Sequence, residues 1–135
     1  MTRFLLDTNI LSDLLRAPQG RVADRIRAVG EGRVRTSIIV AAELRFGARK
    51  LGSTRLTARL EAVLGALEIA PFAAPADEVY GHIRAGLERA GTPIGGNDLL
   101  IAAQAIALGD TVVTDNEREF GRVEGLAVEN WLRLG

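Results

Sequence analysis

The sequence predicts an α/β protein, a three-layer α/β/α domain around a central, mostly parallel sheet of four to five strands. Three observations predict it. Short apolar runs alternate with segments of helical periodicity, which is the pattern of βαβ units. Acidic residues recur where those runs end, the edge at which open parallel sheets gather ligands. Finally, the 135 residues contain no repeat, low-complexity tract or linker, so one domain over 1–135 is expected, long enough to bury roughly two thirds of its unfolded surface.

Residues 3–6 read as the first strand, and Thr8 or Asn9 can cap a helix that runs to about Arg16 before Pro18 ends it. A second helix covers 21–29 and closes at Gly30. Residues 34–37 form a short strand, followed by a helix over about 39–51 with Gly52 as its stop. Leu56, Leu60, Val63, Leu64 and Leu67 make an amphipathic stripe, hence a further helix. Residues 67–72, bracketed by Pro71 and Pro75, supply the next strand. Val79, Ile83 and Leu87 share one face of a helix that lasts until Gly91, and the Gly91-Thr92-Pro93-Ile94-Gly95-Gly96 segment is a loop on turn chemistry. Residues 98–108 are apolar on nearly all sides, as a helix packed on the sheet should be. Residues 111–114 form a strong buried strand, and 126–128 a weaker last one.

Composition excludes several function classes. Without cysteine there is neither a disulfide framework nor a thiolate metal site. The first apolar run is cut short by Asp7, too early for a signal peptide, and the longest apolar stretch, 99–109, is well below the ~18 residues of a membrane span. A soluble, cytoplasmic protein is expected. Net charge is zero, so any attraction to nucleic acid must come from local patches. Lys50 is the only lysine among 17 basic residues; the arginine excess fits a GC-rich genome, but guanidinium forks also suit phosphate. Arg45, Arg49 and Lys50, with Arg33 and Arg35, are the candidate phosphate contacts.

Four acids stand at comparable places: Asp7 ends the first strand, Glu43 lies in the apolar helix after the second, Asp98 opens the 98–108 helix, and Asp115 follows the 111–114 strand. Carboxylates gathered in one cleft repel one another and raise their pKa values. A divalent cation removes that cost, and oxygen donors without His or Cys favour Mg²⁺ or Mn²⁺ over zinc; the single His82 lies on an unrelated helix. Each acid also has a plain structural reading. Asp98 suits a helix N-terminus, Asp115-Asn116 suits a turn or N-cap, and Asp7 can cap the first helix. Glu43 has no well-placed basic residue on its own helix.

Four segments in order, Leu6-Asp7-Thr8-Asn9-Ile10-Leu11, Ala42-Glu43-Leu44-Arg45-Phe46-Gly47-Ala48, Gly95-Gly96-Asn97-Asp98-Leu99-Leu100-Ile101-Ala102-Ala103 and Val113-Thr114-Asp115-Asn116-Glu117-Arg118-Glu119-Phe120, resemble the successive motifs of PIN-domain ribonucleases, specifically the VapC-type toxins of bacterial toxin–antitoxin pairs. Tyr80-Gly81-His82-Ile83-Arg84-Ala85 and Val128-Glu129-Asn130-Trp131 are similar as well. The resemblance implies a PIN-like fold in which Asp7 and Asp98 hold Mg²⁺, with Mn²⁺ as a substitute, and Glu43 completes the acidic pocket. It leaves two rivals for the fourth acid, because Asn116 stands where some PIN domains have aspartate: Asp115 and Glu119. Thr8, Asn9 and Asn116 are expected to line the pocket.

The implied activity is metal-dependent endoribonuclease cleavage, in which water attacks phosphorus and leaves 5′-phosphate and 3′-hydroxyl ends. The implied partners are RNA, a cognate VapB-type antitoxin and a second copy of the chain. Two other readings stay open. A receiver-like phosphoacceptor also gathers acids at strand ends, although paired acids and a late lysine are missing; a catalytically silent PIN-fold domain that only binds RNA or a partner would keep the same architecture.

Overall fold

The computed structural model describes residues 2–133. Its sheet has five strands in the order β3-β2-β1-β4-β5, with every pairing parallel. β1 (Phe4–Leu6) takes the centre because all three of its residues are apolar and fully buried, as a strand covered on both faces requires. β2 (Val34–Ser37) and β4 (Thr111–Val113) flank it, and β3 (Glu68–Ala70) and β5 (Val128–Glu129) form the edges.

The helices are α1 (Thr8–Arg16), α2 (Arg21–Val29), α3 (Ile38–Leu51), α4 (Thr54–Ala66), α5 (Ala76–Arg89), α6 (Gly96–Leu108) and a short α7 (Glu117–Phe120). Their limits follow local chemistry. The Ser37 hydroxyl accepts from the Ile39 N–H at 3.0 Å to start α3, and the Ser53 hydroxyl accepts from Leu56 N–H at 3.1 Å to start α4. Gly52, at φ 66°, closes α3 in the left-handed conformation that glycine adopts without strain. α6 buries Leu99 and every residue from Ile101 to Ala105. One of these is polar: Gln104 donates from Nε2 to the carbonyls of Ala70 and Pro71, both at 2.9 Å, and so holds the end of β3.

Three expectations shift. β3 is shorter than residues 67–72, because Pro71 has no N–H to continue the ladder. The last strand lies at Val128–Glu129, displaced from 126–128 by the register that pairs Val112 with Val128. α7 falls in a segment whose sequence showed only a turn, and its Phe120, fully buried, anchors it. Among the described residues no helix is long and apolar enough to cross a membrane.

Candidate active site

Five parallel strands point their C-terminal ends the same way, and the acids collect there. Asp7 is the residue after β1, Thr114 and Asp115 follow β4, Glu43 is on α3 and Asp98 is in the first turn of α6. They open on a cleft of about 480 Å³ lined by Asp7, Thr8, Asn9, Glu43, Asp98, Asp115 and Asn116, with Ser12, Arg16 and Leu132 at its rim.

Asp7 holds the N-cap position of α1, yet its side chain makes no capping hydrogen bond. It is only 3% exposed, and its Oδ2 accepts from the buried Thr114 hydroxyl at 2.8 Å. Glu43 finds its partner across the cleft, where Thr8 Oγ1 donates to Oε1 at 3.2 Å. Asn116 Nδ2 reaches both Asp98 Oδ2 (2.9 Å) and Glu119 Oε2 (2.8 Å), so one amide draws two carboxyls together. Asp115 is engaged differently. Its N–H donates to Asn9 Oδ1 at 3.0 Å, and its exposed carboxylate accepts from Asn130 Nδ2 at 2.9 Å.

The two rivals for the fourth acid are therefore separated by position: Glu119 adjoins Asp98, whereas Asp115 lies on the cleft wall, tied to Asn130. Sequence reasoning missed Thr114 and Asn130. The same strand-end rule that found Asp115 would have found Thr114 one residue earlier. Of the proposed phosphate contacts, none lines the cleft. Arg45 forms a bidentate pair with Glu61, Arg33 lies over the Phe4 ring and donates to the Thr2 carbonyl, and Arg35 is buried against Asp110. Linear proximity suggests a basic patch, but side-chain partners decide where those charges go.

Burial pushes the Asp7 carboxyl above its usual range, against the Thr114 hydroxyl and Thr8 N–H, and the charge of Glu43 adds to the rise. Asp98 is pushed up to about 7, first by burial, then by the hydrogen bond to Glu119 and the charge of Asp7. Glu119 is held below its usual value, chiefly because Asp98 gives it a hydrogen bond, with Asn116 adding another. Below about pH 7 the pair thus shares one proton, carried by Asp98.

Above the ordinary carboxylate range the native state binds a proton that the unfolded chain has released, so stability falls as pH rises through that window and levels off above about 7. The protein without divalent ions is expected to melt at lower temperature at pH 8 than at pH 5.5, and Asp98→Asn is expected to flatten that difference. Thermal melts in EDTA across this range measure it; a flat profile for the unsubstituted protein would contradict the shared proton.

The donor set suits a hard divalent cation: it offers carboxylate oxygens, with neither His nor Cys in the cleft. Among the described residues no three acids are drawn together into a ready-made cage. An ion held by one or two carboxylates and several waters is the arrangement that fits, and this is the coordination Mg²⁺ favours.

Comparison with known proteins extends the likeness to almost the whole chain. Residues 4–126 match the PIN domain family. Ribonuclease VapC2 of Rickettsia felis is 37% identical over 130 residues, covering 95% of this chain and 97% of the relative. The tRNA(fMet)-specific endonuclease VapC of Salmonella typhimurium is 36% identical over 132 residues, 97% and 99% of the two chains. The crystal structure of VapBC2 from Rickettsia felis bound to a DNA fragment from their promoter superposes with a TM-score of 0.89 at 36% identity, covering 96% of this chain and 99% of that one.

Proposed function

The chain belongs to the PIN domain family, and from that premise we propose that it is a divalent-metal-dependent endoribonuclease, the VapC-type toxin of a toxin–antitoxin pair. The observation that carries this reading is the acidic cleft at the C-terminal edge of the sheet, where Asp7, Glu43 and Asp98 meet. Such a cleft repels an anionic phosphodiester on its own. Mg²⁺, with Mn²⁺ as substitute, is the proposed ion; when bound it neutralises the cleft and stabilises charge developing on the phosphate oxygens.

The chain's own groups then have distinct tasks. Asp7 and Asp98 would hold the ion, Asp7 fixed in orientation by the Thr114 hydroxyl. Glu43, steadied by Thr8, accepts a proton from the attacking water at a carboxylate oxygen. Glu119 is the fourth acid: it receives the proton of Asp98 by hydrogen bond and, when that proton leaves, keeps Asp98 oriented through Asn116. Water as nucleophile leaves a 5′-phosphate and a 3′-hydroxyl. The proposed partners are a cognate VapB-type antitoxin, since the solved relatives include VapBC complexes, and a second copy of this chain. The site of action is the cytoplasm.

The test is a digest of total bacterial RNA with purified protein and Mg²⁺, with the ends of the products mapped. Expected are 5′-phosphate ends, arrest by EDTA, a loss of about tenfold or more in Glu119→Gln, and near-normal activity in Asp115→Asn. Cyclic phosphate ends would overturn the hydrolytic mechanism. An intact fold with no cleavage under Mg²⁺ or Mn²⁺ would favour the silent binding domain instead.

A further inference from the structure

Among the described residues the acidic cleft has one cation on its rim. Arg16, in the last turn of α1, lines the cleft together with four acids, and its side chain is 70% exposed. It forms one ion pair among the described residues, with Asp13 at 3.5 Å, a surface contact that leaves the guanidinium largely solvated. The chain then reverses within a single turn, where Gly20 N–H donates to the Ala17 carbonyl at 2.9 Å. A Cβ on Gly20 would lie 2.9 Å from the Ala17 Cβ, so the turn closes this tightly only with glycine. α2 begins directly beyond it with Arg21, which brings a second arginine to the far side of the same turn.

Arg21 faces a second cleft, of about 710 Å³, bounded by the C-terminal turn of the described chain. That turn is a rib between the two clefts. Leu132 lines the acidic cleft while its carbonyl accepts from Arg21 Nη1 at 2.7 Å; Asn130 lines the second cleft while its amide holds Asp115 of the first. Other arginines along this strip are matched by carboxylates: Arg25 by Glu129, Arg27 by Asp24 and Arg133 by Glu117. Among the described residues Arg21 is different: its hydrogen-bond partner is a neutral carbonyl, and no carboxylate pairs with it.

We infer that Arg16 and Arg21 bind phosphates flanking the scissile bond, and that the RNA strand leaves the acidic cleft over the Asn130–Leu132 rib into the second cleft. The inference rests on the nuclease reading of the acidic cleft and adds the path and contacts of the substrate. The physical need for such contacts is plain. The chain has no net charge and its reaction centre is acidic, so attraction to a polyanion must come from uncancelled cations beside the centre. Arginine also suits the task by its fork, which can grip two phosphate oxygens at once.

The experiment uses the full chain. Binding of fluorescein-labelled unfractionated tRNA is followed by anisotropy in Mg²⁺, in the Asp98→Asn background to prevent cleavage, over a range of salt concentrations. Arg16→Gln and Arg21→Gln are each expected to lower the slope of log affinity against log salt by about 0.7, and the double variant by about twice that. Arg16→Lys should keep the slope, since it keeps the charge. In the cleavage-competent chain each Gln variant should raise KM with kcat nearly unchanged, the signature of lost ground-state binding, without altering the melting temperature. Arg84→Gln, whose partner Glu88 is on the remote α5, is the control and should leave binding as it is.

If the unsubstituted chain cleaves RNA while Arg16→Gln and Arg21→Gln keep the full slope and KM, the strand path is wrong and the nuclease reading stands. If the unsubstituted chain cleaves no RNA, both fall. An unchanged slope combined with loss of a co-expressed antitoxin would assign these arginines to a protein partner and overturn the inference.

Discussion

Asp7→Asn is expected to lower RNA cleavage by about 10²–10³-fold or more while making the protein without divalent ions more stable. The opposed signs arise from one feature. Asp7 is nearly inaccessible to water, and its charge is disfavoured there by burial and by Glu43. Asparagine is the same size and can still accept from the Thr114 hydroxyl, so the packing survives while the cost of burying a charge is gone. What is lost is the anionic oxygen that a cation needs. Asp98→Asn should behave alike, because its amide can donate to Glu119 much as the protonated carboxyl does. Initial rates on a labelled RNA, paired with thermal melts, measure both effects. Cleavage within threefold of the unsubstituted rate in either variant would remove these aspartates from the proposed chemistry; loss of activity with a falling melting temperature would show that Asp7 serves the fold instead.

The second large effect lies at the opposite end of the sheet. Arg35→Ala is expected to cost about 3–5 kcal/mol, a large fraction of the 5–15 kcal/mol typical of a domain, and Asp110→Ala less, because Glu68 still holds the guanidinium. Arg35, on β2, donates from Nε and Nη2 to the two oxygens of Asp110 at 2.7 and 2.9 Å, and from Nη1 to Glu68 at 2.9 Å. Asp110 precedes β4, so the pair ties together the two strands that flank β1. The side chains are 10% and 2% exposed; removing Arg35 strands the Asp110 charge away from water, whereas removing Asp110 leaves the guanidinium to Glu68 alone. The attraction also raises the pKa of Arg35, so the guanidinium stays charged at every accessible pH. The combined Arg35→Met, Asp110→Leu variant should lose much less than the two single effects added together, since no unpaired charge remains. Urea unfolding curves for the four proteins test this; simple additivity would mean that the pair is not coupled.

The order of strands and helices was legible because each element carries its own local signal. Phe4-Leu5-Leu6 is an uninterrupted apolar run and is buried; Leu60 and Leu64 mark the inner face of α4; Gly52 closes α3 by chemistry that needs no tertiary partner. α7 was not legible. Its four residues are too few for a helical period, and it is held by burying Phe120 against the rest of the fold.

The acids of the site show the same division. Asp7, Glu43, Asp98 and Asp115 were recognisable from where they stand relative to strands and helices, since a parallel sheet sends all its C-terminal ends to one edge. Nothing in the linear chain, however, distinguished Asp115 from Glu119. The tertiary structure separates them through Asn116, whose amide joins Glu119 to Asp98, and through Asn130, which comes from beyond β5 to occupy Asp115. It also turned Arg35 from a candidate phosphate contact into a buried brace, and brought Arg16 to the cleft that none of the candidate arginines reaches.

The sequence by itself determined the class of fold, the order of its elements and the family of acids, because hydrophobic period, caps and strand-end position are local properties. Only the tertiary structure decided which acids adjoin one another and, among the described residues, which arginines are left without a carboxylate and which clefts they line. Those outcomes depend on contacts between residues as far apart as Asp7 and Thr114, and on burial, which a carboxylate or guanidinium acquires only when the chain around it has folded.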